Sequence, residues 1–492
     1  MSLARNALLN LAGLAAPLAA AVFAVPALVV RLGADRFGFL AIAWVLVGYF
    51  SLFDLGLGRS LSRLIAAREG GARAADLPEL AHTALTLSLA LGVGAGALLF
   101  AAAELVCTRL LKLPFALQPE AEAALRVLAC CLPFVTLTSA LRGVLEAGQR
   151  FGWVNAIRVP LGVLTFVAPL AAAAATPSLV ALALALAALR VAALAAHWGV
   201  AAKLYPDLVR VGVPALRAAR EVLGAGAWIT VSNLVGPLMM YLDRFVIGAL
   251  LAVSAVAYYT APYEVVTRLS LLPAALTSVL FPAFAAAAPD RAAALSRMGV
   301  KAIAVVLFPI LLGAVLFAPE WMRAWLGTVY AQRGARVAQL LCLGVMANSL
   351  AYLPFTLLQA RGRADLPAKA HLVELPCYVA LLALFVPTRG IEGAALAWTL
   401  RCAADAAVLF ALAHRHLGRS APRLAGPQAA TLAVALTLLA GSLLPVAPAT
   451  KLLYFALALA AFVPLAWRVL LDAGERALAR ELPARLGAGW PQ

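Results

Sequence analysis

Apolar stretches of about 20 residues, separated by short polar linkers, recur from one end of the chain to the other. An α-helix rises 1.5 Å per residue, so about 20 apolar residues cross the hydrocarbon core of a bilayer. The pattern predicts spans near residues 8–30, 38–58, 81–103, 122–142, 157–176, 179–199, 224–250, 257–285, 299–318, 334–358, 371–387, 391–412, 428–446 and 452–470. The expectation is an all-α integral membrane fold of 14 transmembrane helices. The longest polar linkers, 59–80 and 200–223, leave no room for a large extramembrane domain. The first apolar run exceeds the roughly 7–15 residues of a signal-peptide core, so it reads as an uncleaved first span.

The pattern also repeats. With a shift of 219 residues, RLGADRFGFLAIAW (31–44) lies over LLAVSAVAYYTAPY (250–263). With a shift of 213, LEAGQR (145–150) lies over LQARGR (358–363), each closing a fourth span. Six spans per repeat is an even number, so both copies have the same orientation and form a parallel repeat. The predicted organisation is a first lobe over 1–223, a second over 224–413, and two further helices with a cytoplasmic tail over 414–492. A cavity is expected between the lobes.

Composition fits this picture. The chain of 492 residues is 64% hydrophobic and 12% charged, whereas soluble domains are about 45–50% apolar and about 25% charged. The net charge of +17 would suit a nucleic-acid partner, but its distribution does not. Basic residues cluster in alternate linkers, as in Arg59, Arg63, Arg68 and Arg73, then Lys203, Arg210, Arg217 and Arg220. The positive-inside rule then places both termini in the cytoplasm, with the excess charge against anionic inner-leaflet lipids. Membrane lipids are thus the expected surroundings, and no nucleic acid is expected. The tail after Arg468 reads as interfacial, with Leu471, Leu478 and Leu482 on one face and Arg476 and Arg480 on another. The six cysteines form neither a C-x-x-C nor a cluster with metal spacing, so no disulfide framework, metal or cofactor is expected.

Charges within the spans carry the candidate chemistry, because each costs on the order of 2.5–3.5 kcal/mol near the membrane centre. In the seventh span, Asn233, Pro237, Tyr241 and Arg244 recur at helical spacing, and Asp243 adjoins Arg244. Gly236–Pro237 is expected to break that helix. Glu264 and Arg268 are i,i+4 neighbours, Trp398, Arg401 and Asp405 share a face, and so do Arg190 and His197. These residues either line a hydrated cavity or neutralise one another and lock helices. Asp243 and Arg244 point about 100° apart on a helix, which favours the first reading for that pair. Asp54 and Arg126 lie closer to span ends. No H-E-x-x-H, G-x-S-x-G or Walker motif is present, and the expectation is a protein that is not an enzyme.

The strings RLGADRFG (31–38), FDLGLGRS (53–60), YLDRFVIG (241–248), YYTAPYE (258–264) and GIEGAALAW (390–398) resemble the oligosaccharide flippases, the Wzx-type branch of the MOP superfamily that also contains the MATE transporters. That resemblance implies two six-helix lobes around a central cavity. It also implies alternating-access transfer of undecaprenyl-diphosphate-linked repeat units across the bacterial inner membrane, for O-antigen or exopolysaccharide. Substrate contacts are then expected from Arg244, Arg268, Arg401 and Arg190, with Asn233 and Tyr241, since guanidinium binds phosphate bidentately. Asp243, Glu264, Asp54 and Asp405 are the candidates for coupling a cation, H+ or Na+. The competing readings are a MATE-type cation-coupled multidrug antiporter, which wants carboxylates without competing arginines, and a membrane polymerase or ligase, which wants a long outside loop.

Overall fold

The structure, a computed structural model, describes residues 3–49, 57–68, 76–209, 215–224, 227–422, 426–444 and 447–476. Among them every regular element is helical. In chain order these are α1 (Leu3–Tyr49), α2 (Leu57–Arg68), α3 (Leu77–Leu105), α4 (Gln118–Ala129), α5 (Leu132–Ala147), α6 (Phe151–Ala175), α7 (Leu179–Leu204), α8 (Leu216–Gly224) and α9 (Ala227–Leu250). They continue as α10 (Val253–Val266), α11 (Leu271–Ala286), α12 (Pro289–Leu316), α13 (Ala318–Leu326), α14 (Thr328–Ala360), α15 (Asp365–Leu417), α16 (Gly426–Gly441) and α17 (Pro448–Leu465). Seven of them open on a proline at their first or second position (Pro78, Pro119, Pro133, Pro289, Pro319, Pro427 and Pro448), where its missing N–H costs no helical hydrogen bond.

By length and composition, nine helical runs among the described residues can cross a membrane. Where the expected spans are described they fall largely on helices, residues 50–56, 225–226 and 445–446 lying outside the described residues, but boundaries differ where one residue decides them. Spans 8–30 and 38–58 meet on α1, whose backbone breaks at Gly33 (φ 70, ψ 173). Spans 371–387 and 391–412 meet on α15, which breaks at Gly390 (φ 60, ψ −141). Both glycines stand within the strings RLGADRFG and GIEGAALAW, so those strings encode corners. The fourth span is two helices, α4 and α5, divided ahead of Pro133. The expected break at Gly236–Pro237 is not found: α9 is continuous across it. A proline removes a single helical hydrogen bond, which neighbouring groups in a membrane bundle can offset.

Gly390 occupies a region of φ/ψ space open essentially to glycine alone, where strain costs about 1–3 kcal/mol for other residues. Gly390→Ala is therefore expected to lower the thermal unfolding midpoint of the detergent-solubilised protein. An unchanged midpoint would mean that the corner can relax.

The duplication is visible in the turns. At the end of α5, Gln149 has a positive φ of 54°, and at the end of α14 its counterpart Gly362 has a φ of 75°. Around each, four backbone N–H groups donate in the same register. Gly148 donates to Val144, Gln149 to Glu146, Arg150 to Leu145 and Trp153 to Arg150. Under the same 213-residue shift, Arg361 donates to Leu357, Gly362 to Gln359, Arg363 to Leu358 and Leu366 to Arg363. This left-handed cap satisfies helix-terminal carbonyls in both copies. The shift also places the corner between α6 and α7 (Pro177) over Gly390, and the 219-residue shift places Gly33 over Ala252, between α9 and α10.

The chain forms two compact units, residues 1–261 with 382–391, and residues 262–381 with 392–492. In the first, the linker helices α2 and α8 pack on α3 and α5 through Leu57, Leu61, Leu80, Val144 and Val222. A Cβ on Gly143 would meet the Gly58 carbonyl oxygen at 2.2 Å, so α2 and α5 touch backbone to backbone. In the second, the segment after α17 ends in a reciprocal cap, with Glu475 N–H donating to Asp472 and Asp472 N–H to Glu475. That cap holds the buried Lys301 of α12, whose Nζ donates to Glu475 Oε2 at 2.6 Å. The expected tail face beyond it (Leu478, Arg480, Leu482) lies outside the described residues.

Candidate functional site

The first unit contains a cavity of about 250 Å³ among α5, α6 and α7. Arg142, Arg158, Arg190 and His197 line it, with Thr138, Ser139 and Thr165 supplying hydroxyls. Helix spacing places them: Arg142 follows Thr138 by four residues on α5, and His197 follows Arg190 by two turns on α7. Among the described residues one carboxylate is paired with these arginines: Arg142 Nε lies 3.5 Å from Glu146 Oε1. Arg158 Nη2 donates to the neutral Asn155 Oδ1 at 2.8 Å. Arg190 Nε is shielded from solvent and makes no hydrogen bond. His197 donates from Nδ1 to the Ala193 carbonyl at 2.8 Å. The cavity thus carries a surplus of guanidinium donors in apolar surroundings. It is smaller than the roughly 300–1,000 Å³ of drug-sized pockets, so it fits a small anionic group rather than an oligosaccharide.

The Asp243–Arg244 pair lies elsewhere in the same unit, and both residues are fully buried. Tyr259 donates its hydroxyl to Asp243 Oδ2 at 2.5 Å, and the Arg244 backbone N–H donates to Asp243 Oδ1 at 2.8 Å. Arg244 Nε donates to Thr260 Oγ1 at 3.3 Å, and its guanidinium lies 4.5 Å from the centre of the Tyr241 ring. Two adjacent charges that diverge around α9 are therefore both received by α10. Tyr241 meets Arg244 as their shared helix face requires.

In the second unit, Glu264 and Arg268 pair at 2.8 Å, with about a third of the Arg268 side chain exposed. Arg401 and Asp405, expected to face each other, take other neighbours. Arg401 Nη2 donates to Cys402 Sγ at 3.1 Å, and the guanidinium lies 5.6 Å from the Tyr378 ring centre and 6.0 Å from that of Trp398. Asp405 Oδ1 lies 3.5 Å from His371 Nε2. Glu374 completes a cluster in which one polar atom each from His371, Glu374 and Asp405 lies within 4.8 Å of the others.

Asp54 and the side chain of Asn233 lie outside the described residues. The pattern of charge within spans did not single out Arg142 and Arg158, which it assigned to basic linkers, nor Glu374 and His371. The available signal was spacing: His371 and Glu374 are i,i+3 neighbours, on the side of α15 that its return beyond Gly390 brings against Asp405. Arg126, near a span end, pairs with Glu122 at 2.7 Å and lies over Phe100.

Duplicated helical hairpins of this kind define the class first: a multi-pass membrane protein with the fold of the MOP superfamily. The chain is similar to a multidrug resistance MATE family transporter of that superfamily in an inward-facing conformation (TM-score 0.66, 17% identity, 81% of this chain and 94% of that one). It is also similar to the lipid II flippase MurJ in an inward closed conformation (TM-score 0.67, 12% identity, 93% of this chain and 99% of that one). The family follows from sequence: residues 3–288 match the model described as polysaccharide biosynthesis protein, and the chain belongs to that family. A Shigella flexneri protein named "Putative O-antigen transporter" is 29% identical over an alignment of 423 residues that covers 83% of this chain and 97% of that protein.

Proposed function

We propose that this protein is a flippase for undecaprenyl-diphosphate-linked oligosaccharide repeat units, working by alternating access in the bacterial inner membrane, with both termini in the cytoplasm. The observation that carries the reading is the cavity lined by Arg142, Arg158 and Arg190, two of whose guanidiniums have no carboxylate paired with them among the described residues. Such a site attracts a diphosphate and repels an organic cation, which argues against multidrug cation exchange. Under the positive-inside orientation, the turn joining α5 to α6 is cytoplasmic and Arg142 and Arg158 lie within two helical turns of it, so the cavity would face the leaflet where the lipid-linked unit is made. Family membership and the named transporter relative support the same reading, and the repeat lobes 1–223 and 224–413 would be its moving halves.

Arg190, Arg142 and Arg158 are the proposed headgroup contacts, with Arg401 and Arg268 as further cationic groups. Asp243, Arg244, Tyr241 and Tyr259 are proposed to join α9 to α10. Deleting the gene should trap the lipid-linked repeat unit in the inner leaflet, measured by its accessibility to a membrane-impermeant label in intact spheroplasts. Unchanged outer-leaflet supply, in cells with no second flippase, would overturn the proposal.

A further inference from the structure

The second unit contains a cluster that headgroup binding does not use. α15 folds back beyond Gly390, bringing His371, Glu374 and Tyr378 of its first stretch against Trp398, Arg401, Cys402 and Asp405 of its second. Asp405 and Arg401 are more than nine-tenths buried, and Tyr378 is fully so. Both Glu374 carboxylate oxygens, Asp405 Oδ1, His371 Nδ1 and Arg401 Nε are shielded from solvent without a hydrogen bond. So many unsatisfied polar atoms in one place are costly unless something further binds there.

Charge counting identifies the missing component. Glu374 and Asp405 can contribute two negative charges and Arg401 one positive, so these three side chains leave room for one further positive charge in the cluster. The other groups around it, Tyr263 of α10, Tyr352 of α14, and Tyr378 and Cys402 of α15, are neutral at physiological pH. Phe355 of α14 stacks on His371 with ring centres 6.0 Å apart and adds no charge. A divalent metal would overshoot, leaving a net positive charge beside a guanidinium. A sodium ion matches the count but prefers a shell of oxygens, whereas one of these three groups is an imidazole. A single proton matches both the count and the chemistry, because two neighbouring carboxylates cannot both stay ionised at low cost.

We propose that His371, Glu374 and Asp405 form a proton-binding site, with one proton held between the two carboxyl groups. His371 is the entry: its side chain is 13% exposed against 7% for Asp405, and it lies two turns from the start of α15. The proton passes from the imidazole to the carboxylate pair as the His371 Nε2–H bond breaks and a carboxyl O–H bond forms, leaving a neutral ring and one neutral carboxyl group. Arg401, fixed between the Tyr378 and Trp398 rings, keeps the second carboxylate ionised. Coupling of this proton to substrate movement rests on the flippase reading; the site itself does not.

The test is infrared difference spectroscopy of the full-length wild-type protein in liposomes, titrated from acid to alkaline pH in sodium-free buffer. A protonated carboxyl band that disappears on titration is expected, and it should be missing in Glu374→Gln. Asp405→Asn gives a second reading of the same band should Glu374→Gln fail to insert. A band unchanged in both variants overturns the site, as does a band removed by sodium at fixed pH, which would make it a sodium site. In cells, Glu374→Gln should lower outer-leaflet supply at least tenfold with the protein present at wild-type level. Normal supply together with loss of the band would overturn the coupling and leave the site standing. Normal supply in the deletion strain would instead reject the flippase reading alone.

Discussion

Asp243→Ala is expected to cause the largest loss of stability of any single substitution in α9. The carboxylate accepts the Tyr259 hydroxyl and the Arg244 backbone N–H, in a place from which water is excluded. Removing it leaves Arg244 as a fully buried cation without its neighbouring negative charge. Breaking such a buried pair costs about 3–5 kcal/mol. Tyr259→Phe removes one donor and leaves the charge, for about 1–3 kcal/mol. The order of unfolding midpoints in detergent should therefore be wild type, Tyr259→Phe, Asp243→Ala. The double variant Asp243→Leu with Arg244→Leu should recover most of the loss, because replacing both members of a buried pair by apolar groups is often neutral. A wild-type midpoint for Asp243→Ala would show that the pair does not join the helices. Recovered stability with lost transport in the double variant would return Arg244 to the substrate path.

Much of this fold is legible in the sequence because a bilayer imposes a length on every apolar run. The places where reading failed share a cause. Pro237 reads as a break, yet α9 continues through it, because helix continuity depends on neighbours that a single segment does not reveal. Gly33 and Gly390 read as ordinary residues near span ends, although they make the corners; only backbone angles distinguish them from Gly94, beside which a Cβ would meet nothing. Arg244 stands out in sequence as a charge in an apolar run, and that signal cannot separate a locked cation from an available one. Arg142 and Arg158 lie near span ends where arginine is common, so only their convergence with Arg190 on α7 makes them a site. The repeat was legible at the Gln149 and Gly362 caps because a helix end is local, written in a few consecutive residues.

Arg190→Gln should have the opposite signature to Asp243→Ala, and this contrast makes the cationic cavity testable. Arg190 Nε is buried with no hydrogen bond, and among the described residues the one carboxylate paired with a cavity arginine is held by Arg142. A guanidinium in that setting costs folding energy, since a buried charge is unfavourable unless matched. Neutralising it should leave the unfolding midpoint equal to wild type or higher. Hydrogen bonds to a charged phosphate contribute about 1.5–3 kcal/mol each, and 1.4 kcal/mol is a factor of ten. Outer-leaflet supply of the lipid-linked unit should therefore fall roughly 10- to 100-fold with the protein inserted at normal level. Arg190→Lys keeps the charge without the bidentate fork and should fall between the two. Arg142→Gln and Arg158→Gln should weaken transport in the same direction. Wild-type supply in Arg190→Gln with a raised midpoint would assign the arginine a cost without a use, and the headgroup would have to be held elsewhere. On the proposed reading, an arginine that costs stability where it stands would be explained by binding, with the missing negative charge arriving with the substrate.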